Sequence, residues 1–237
     1  MDFFPPSIAS EIAFLVIVLA VLLMVILSVY FANRREADPA IPRTLLVAAG
    51  LAFLLTADSA VVASGWLENN PMPALPIFLL GNLAIAAGFA LSPLGGVIAG
   101  AVPLPLLVGF HAFRLPLELV LHSWVQEGTI PATMSWEGSN FDIASGILAV
   151  LLAPLVSHFR PAAWLFNAVG IVLLGNVLRV AILSSPLPFA WQVNPPLLLA
   201  FYLPFAWIIP VCVGGAIAGH IMLTRALLMN RGQAPNR

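Results

Sequence analysis

Seven long apolar runs dominate the chain and leave little choice of fold. They cover residues 12–32, 44–66, 75–91, 97–124, 143–156, 162–183 and 197–223. Most are long enough to cross a bilayer as helices, which takes roughly 20 residues each. Only 8% of the 237 residues are charged and 61% are hydrophobic, whereas an ordinary soluble domain carries about 25% charge. A water-facing surface cannot be built from that supply, so lipid is the expected solvent. Lipid admits only helices or closed barrels. The runs are continuous rather than alternating, which excludes a barrel. The expected fold class is all-α: a single polytopic transmembrane bundle over residues 1–237, with seven spans and an outer loop at 125–142.

The first run, Ile12 to Ala32, follows Asp2 and Glu11 and precedes Arg34 and Arg35. A secretory signal has its positive residues before the apolar segment, so this run reads as an uncleaved anchor with its N-terminus outside. Alternating the later loops places Arg34, Arg35, Arg43, Arg160, Arg225, Arg231 and Arg237 on one side and no arginine on the other. The positive-inside rule makes that side cytoplasmic, with the C-terminus inside. Trp66, Trp124, Trp136 and Trp191 fall near the opposite ends, as an interfacial aromatic belt would. A bacterial inner membrane is the expected location, and membrane lipid the expected surrounding partner.

Composition excludes several chemistries. There is no lysine, so no Schiff base can form and a seven-helix retinal protein is ruled out. The single cysteine, Cys212, permits neither an intrachain disulfide nor a thiolate cluster. The net charge of −1 gives no basic surface for nucleic acid. No metal and no cofactor is expected. His111 and His122 lie about 16 Å apart along one helix at 1.5 Å per residue. His158 and His220 are expected too near the inner side to oppose His122 around a haem, and His220 reads as a satisfied core histidine. Neither an H-E-x-x-H nor a G-x-S-x-G pattern occurs. Ser145-Gly146 reads as small-residue helix packing.

The polar residues inside the apolar runs are the candidates for function. His111, Arg114, Glu118 and His122 follow spacings of three, four and four, so they share one helical face. Arg114 and Glu118 can pair at i,i+4. Charges at membrane depth cost roughly 2.5–3.5 kcal/mol on insertion scales, so the stripe should face the bundle interior or a cavity. Asp58 on the second run and Asn82 on the third lie at similar depth, and Asn176 and Arg179 share a face of the sixth. Asp142 opens the fifth run and could cap it. The preceding loop, Glu127 to Phe141, is rich enough in large apolar residues to fold back as a lid. Asp58, Arg114, Glu118, Asp142 and Arg179 are expected to gather in the outer half of the bundle, with Arg114 ion-paired. Two arginines against three acids leave that group one positive charge short.

One resemblance goes further. Phe113-Arg114-Leu115-Pro116-Leu117-Glu118 leads through Gly128, Ile130-Pro131 and Met134-Ser135-Trp136-Glu137-Gly138 to Asn140-Phe141-Asp142-Ile143. That stretch resembles a block found in a family of uncharacterised bacterial multi-pass membrane proteins. Ser185-Pro186-Leu187-Pro188-Phe189 and Pro204-Phe205-Ala206-Trp207-Ile208-Ile209-Pro210 resemble the family's later segments. The similarity covers roughly residues 110–228, and Ser139 stands where the family has Arg. It implies a bacterial inner membrane and marks Arg114, Glu118, Asn140 and Asp142 as the constellation. Three functions remain open. The first is binding or transport of a small polar or anionic ligand near Arg114, Glu118, His122, Asp58, Asn140, Asp142, Asn176 and Arg179. The second is an intramembrane enzyme for a lipid or lipid-linked substrate, using Glu118, His122 and Asp142 as acid and base. The third is a structural or assembly role in which the charges only fix packing.

Overall fold

A computed structural model describes residues 3–35 and 40–229. Asp2, Arg231 and Arg237 lie outside the described residues, as does the link from 36 to 39. Helix accounts for 78% of the structure, and no strand occurs among the described residues. The helices are α1 (Ile8–Arg35), α2 (Ala40–Ala63), the short α3 (Trp66–Asn69), α4 (Pro71–Leu91), α5 (Pro93–Ala101), α6 (Leu104–Gly109), α7 (Arg114–Gln126), α8 (Ile143–Leu152), α9 (Arg160–Ser184) and α10 (Gly214–Met229). Six segments are long and apolar enough to cross a membrane: Ile8–Arg34, Ala40–Ala63, Pro71–Leu91, Leu104–Gln126, Arg160–Ser184 and Phe205–Met229.

The surface fits lipid as solvent. On α1, Ile12, Val16, Leu19, Leu23, Leu27 and Phe31 form an exposed stripe at spacings of three and four, while Phe14, Val18, Val21 and Val29 are buried on the opposite face. A helix apolar all round belongs in a large core or a bilayer. The same holds for α2, which packs along α1 and leaves Leu45, Leu46 and Phe53 outside.

Three expectations about the spans change. The run 97–124 is not one helix: α5 ends at Ala101, and Val102 and Pro103 are extended before α6 begins. Proline drives the preceding residue out of the helical region, which accounts for the break. Pro116 also lacks the N–H that Ala112 would accept, and the turn before it, Phe110–Phe113, is wound as a 3-10 helix. The run 143–156 yields only the ten-residue α8, about 15 Å of helix where the hydrocarbon core is about 30 Å thick. The last run starts its helix at Phe205 rather than 197, and passes through a π-helical stretch, Ile208–Val213, that contains Pro210.

The turn between α4 and α5 is close-packed. Ser92 caps α5 by accepting from the Gly95 N–H at 3.2 Å. A Cβ on Gly95 would lie 2.2 Å from the Ala90 carbonyl oxygen, so glycine is needed there. Arg225 of α10 donates to the Ala90 and Ser92 carbonyls, supplying partners for the end of α4. Trp124, expected in an interfacial belt, is instead fully buried against Phe14 and Phe205, with its indole N–H donated to Ser10 at 3.1 Å.

Candidate functional site

The polar residues of the spans form two separate groups. The first surrounds Arg114, at the N-terminus of α7 and 1% exposed. The 3-10 turn and Pro116 fix where α7 starts, and a Cβ on Gly146 of α8 would sit 2.4 Å from the Leu115 nitrogen, so α8 approaches that start at backbone contact. Asp142, at the head of α8, therefore reaches Arg114. The guanidinium Nε donates to Asp142 Oδ2 at 2.6 Å and Nη2 donates to Oδ1, a bidentate ion pair. Asp142 does not cap α8 with its side chain, because its carboxylate is committed to Arg114.

The third guanidinium nitrogen reaches α10. Nη1 lies 3.2 Å from Nε2 of His220. Arginine has only donors, so Nε2 must accept and the ring proton sits on Nδ1. Nδ1 then donates to Asn167 Oδ1 at 2.9 Å, and Asn167 Nδ2 donates to Thr224 Oγ1 at 2.7 Å. Thr224 Oγ1 closes the chain by donating to the His220 carbonyl at 2.8 Å. His220 is thus satisfied, as expected, but beside Arg114 rather than away from it. His111, fully buried, packs on it with ring centroids 4.1 Å apart, and neither of its nitrogens has a hydrogen-bond partner. Two glycines admit these rings. A Cβ on Gly170 would meet His220 at 2.4 Å, and one on Gly219 would meet His111 at 2.7 Å.

Glu118 does not pair with Arg114 as its i,i+4 spacing suggested. Both its oxygens accept from Asn140 Nδ2 at 3.0 Å, and Asn140 Oδ1 accepts the Asp142 N–H at 3.1 Å. Asn140 and Ser135 are fully buried, because the 127–141 loop folds back over α7 and α9. Thr133 bonds Ser184 at 2.7 Å and Asn176 Nδ2 donates to the Ser139 carbonyl at 2.8 Å, fastening the loop to α9. One arginine and two carboxyls make up the charged core, again one positive charge short if both acids are ionised.

Four expected members stand apart from it. Arg179 is exposed, donating to Asn176 Oδ1 at 2.9 Å and lying 5.7 Å from the Trp191 ring. It lies on the outward face of α9, so lipid or solvent receives it, not the acids. Asn176 serves the loop, and His122 stacks on Trp136 at 4.2 Å. Asp58 belongs to the second group.

That group is Asp58 on α2, 8% exposed, and Asn82 on α4, 4% exposed. Asn82 Nδ2 donates to Asp58 Oδ1 at 3.4 Å and to the Phe78 carbonyl at 3.1 Å. Asn82 Oδ1 and Asp58 Oδ2 are buried with no partner. Asn82 lines a cavity of about 310 Å³ among α1, α2, α4, α5, α6 and α10, whose walls include Leu22, Leu51, Leu54, Phe89 and Met222. Asn82 and Ser28 supply the only polar side chains of its lining, and the Ser28 hydroxyl is donated to the Met24 carbonyl at 2.7 Å. Gly219 forms part of the wall, and His111 lies directly behind it.

The two groups differ in what they can do. Every nitrogen of Arg114 already donates within the protein, and Glu118 and Asp142 are enclosed. The cavity is a hydrophobic chamber with one unsatisfied acceptor in its wall, at the low end of the roughly 300–1,000 Å³ range of ligand sites. Among the described residues no three His, Cys, Asp or Glu side chains gather as a metal ion would require. Sequence reasoning singled out Asp58 and Asn82 separately but missed their pairing and the hollow beside them. It also missed His111 and Asn167 as companions of His220. The only signals were the glycines at 170 and 219, which are ordinary in membrane helices. No family model, curated protein or solved structure matches the chain.

Proposed function

We propose that this chain is a multi-pass protein of a bacterial inner membrane that binds a lipid-like molecule in its apolar cavity, while the Arg114 cluster holds the helices around it. The observation that carries the reading is the contrast in lining. The cavity walls are mainly apolar side chains from five or more helices, and the fully buried Arg114 is committed to Asp142 and His220. A small anion at Arg114 would have to displace a buried carboxylate. Acid–base catalysis by Glu118 and Asp142 would need substrate to reach groups 1% and 5% exposed. Both alternatives have less support than binding of an apolar chain.

Seven crossings with the N-terminus outside belong to this proposal. Glu127, just after α7, accepts hydrogen bonds from Ser7 at 2.7 and 2.9 Å, beside the start of α1. Arg160, at the start of α9, donates to the Leu227 carbonyl at 3.2 Å, near the end of α10. These two contacts flank α8 in the chain, which supports a seventh crossing with α8 as its helical part. Arg43 likewise donates to Asn33 at 3.0 Å, so the arginine-bearing ends of α1 and α2 meet. The positive-inside rule supports taking that end as the cytoplasmic one. The resemblance over residues 110–228 supports the bacterial inner membrane.

Native mass spectrometry of the protein extracted from its membrane tests the reading. The expected result is a retained lipid or other apolar adduct that Leu51→Trp, which fills the cavity, removes. A wild type stabilised only by small carboxylic or phosphate anions, with Arg114→Gln abolishing the response, would overturn it.

A further inference from the structure

We infer that the cavity selects a single-chain amphiphile whose head donates a hydrogen bond and carries no negative charge, a long-chain alcohol or amine, with Asn82 receiving that head. This rests on the cavity being a lipid-binding site and adds which lipid chemistry it takes. Asn82 is 4% exposed and lines the cavity, yet its Oδ1 has no partner. Its Nδ2 has two hydrogens, and they are directed to Asp58 Oδ1 and the Phe78 carbonyl. The amide therefore offers the cavity an acceptor and no donor. Asp58, which accepts from that Nδ2, stands behind Asn82 and is not part of the cavity wall. An unpaired buried acceptor costs about 1–3 kcal/mol, so a donor arriving there is favoured by the removal of that penalty.

The electrostatics narrow the head further. No arginine or histidine side chain lines the cavity, and Arg114 is held elsewhere by Asp142 and His220. An anionic head, a fatty carboxylate or a phosphate monoester, would meet the Asn82 oxygen without a cation and without a donor from its amide nitrogen. A hydroxyl or an amine brings the donor that Asn82 Oδ1 lacks. The chain itself lies against Leu51, Leu54, Phe89 and Met222. Residues Pro210 to Met222 of the last span line one wall, a length on the order of 18 Å at 1.5 Å per residue.

The test is competition in lipid nanodiscs of the full chain, reading displacement of a fluorescent alkyl probe by dodecanol, dodecylamine, dodecane and dodecanoate. The alcohol or the amine is expected to displace the probe at least about tenfold more tightly than dodecane or dodecanoate, which corresponds to about 1.4 kcal/mol. Asn82→Leu should bring dodecanol to the level of dodecane. Because that variant strands Asp58, Asn82→Ser is the second one, keeping a short acceptor and an intermediate preference. Equal displacement by dodecanol and dodecane on the wild type overturns the head-group inference while leaving the lipid cavity intact. Tighter binding of dodecanoate also overturns it. If the probe itself fails to bind, the lipid-binding reading falls and this inference with it.

Discussion

Arg114 and Asn82 are both buried polar side chains in apolar helices, and their surroundings answer the cost of burial in opposite ways. Around Arg114 the protein supplies everything. Asp142 takes two of its nitrogens, His220 takes the third, and Asn167 and Thr224 continue the chain to the α10 backbone. Around Asn82 the protein stops halfway, leaving two buried oxygens without donors beside an apolar hollow. A saturated network rigidifies and specifies packing. An unsaturated one beside a cavity is a place where a partner gains by arriving. The charged residues that draw the eye in the sequence are therefore the framework, and the uncharged amide is the recognition point.

The largest effect should come from breaking the Arg114 pair on one side only. Arg114→Met or Asp142→Leu alone leaves an uncompensated buried charge, a loss of about 3–5 kcal/mol. The double substitution should cost less than the two singles added, because neither charge is then stranded. Thermal unfolding of the three variants in detergent measures this. Additive losses would mean that the pair is not coupled.

Next come the glycines that admit the histidines. Gly170→Ala places a Cβ 2.4 Å from the His220 ring, whereas Gly175, on the same helix, has nothing within 4 Å of its added Cβ. The first should lose about 1–3 kcal/mol by overpacking, and Gly175→Ala should be neutral or gain up to about 1 kcal/mol from helix propensity. Equal Tm values for the two would break the claim that the cluster is tightly packed.

On the other side of the comparison, Leu51→Trp should change Tm little by itself and should abolish the stabilisation given by added long-chain alcohol. A filled cavity has no room for the chain, but nothing in the framework is disturbed. Ligand response surviving in this variant would place binding elsewhere.

The smallest effect belongs to the outer end. Burial raises the Glu127 carboxyl, but the hydrogen bonds it accepts from the Ser7 backbone and from the Ser7, Ser123 and Ser10 hydroxyls outweigh that, and its pKa is held below the usual glutamate value. A depressed folded pKa contributes stability that is present above the ordinary carboxylate range and is lost as pH falls through the folded value. Hydrogen exchange of the first turn of α1 should speed up in that acid window. Glu127→Gln should remove most of the pH dependence.

Much of the framework was legible in the sequence, and for a physical reason. Lipid leaves helices as the only open-chain solution, so apolar runs mark the spans directly. That Arg114 is ion-paired with an acid follows from the cost of isolated charges at depth. What failed was partner choice within the stripe. Glu118, one turn from Arg114, lost it to Asp142, because the close approach of Gly146 to Leu115 brings α8 to the head of α7. Arg179 was expected among the acids because a charge at its depth needs partners, but it is exposed on α9 beside Trp191, while Asn176 turns to the loop. The break between α5 and α6 falls at Pro103, the residue type that ends a helix one position earlier. The cavity left no trace in the sequence. A hollow is a property of how helices diverge, and Leu51 or Leu54 lining it reads the same as Phe53 facing lipid.

Photo-crosslinking with a diazirine-bearing long-chain alcohol, mapped by peptide mass spectrometry, tests the central contrast most directly. The account predicts label on the inward residues Leu51 and Leu54 of α2 and Ala218 and Met222 of α10, competed away by unlabelled dodecanol, with Ser145 and His220 unlabelled. Label confined to the outward-facing Leu46, Phe53 and Leu80 would contradict it, as would label that appears at the Arg114 cluster and not in the cavity.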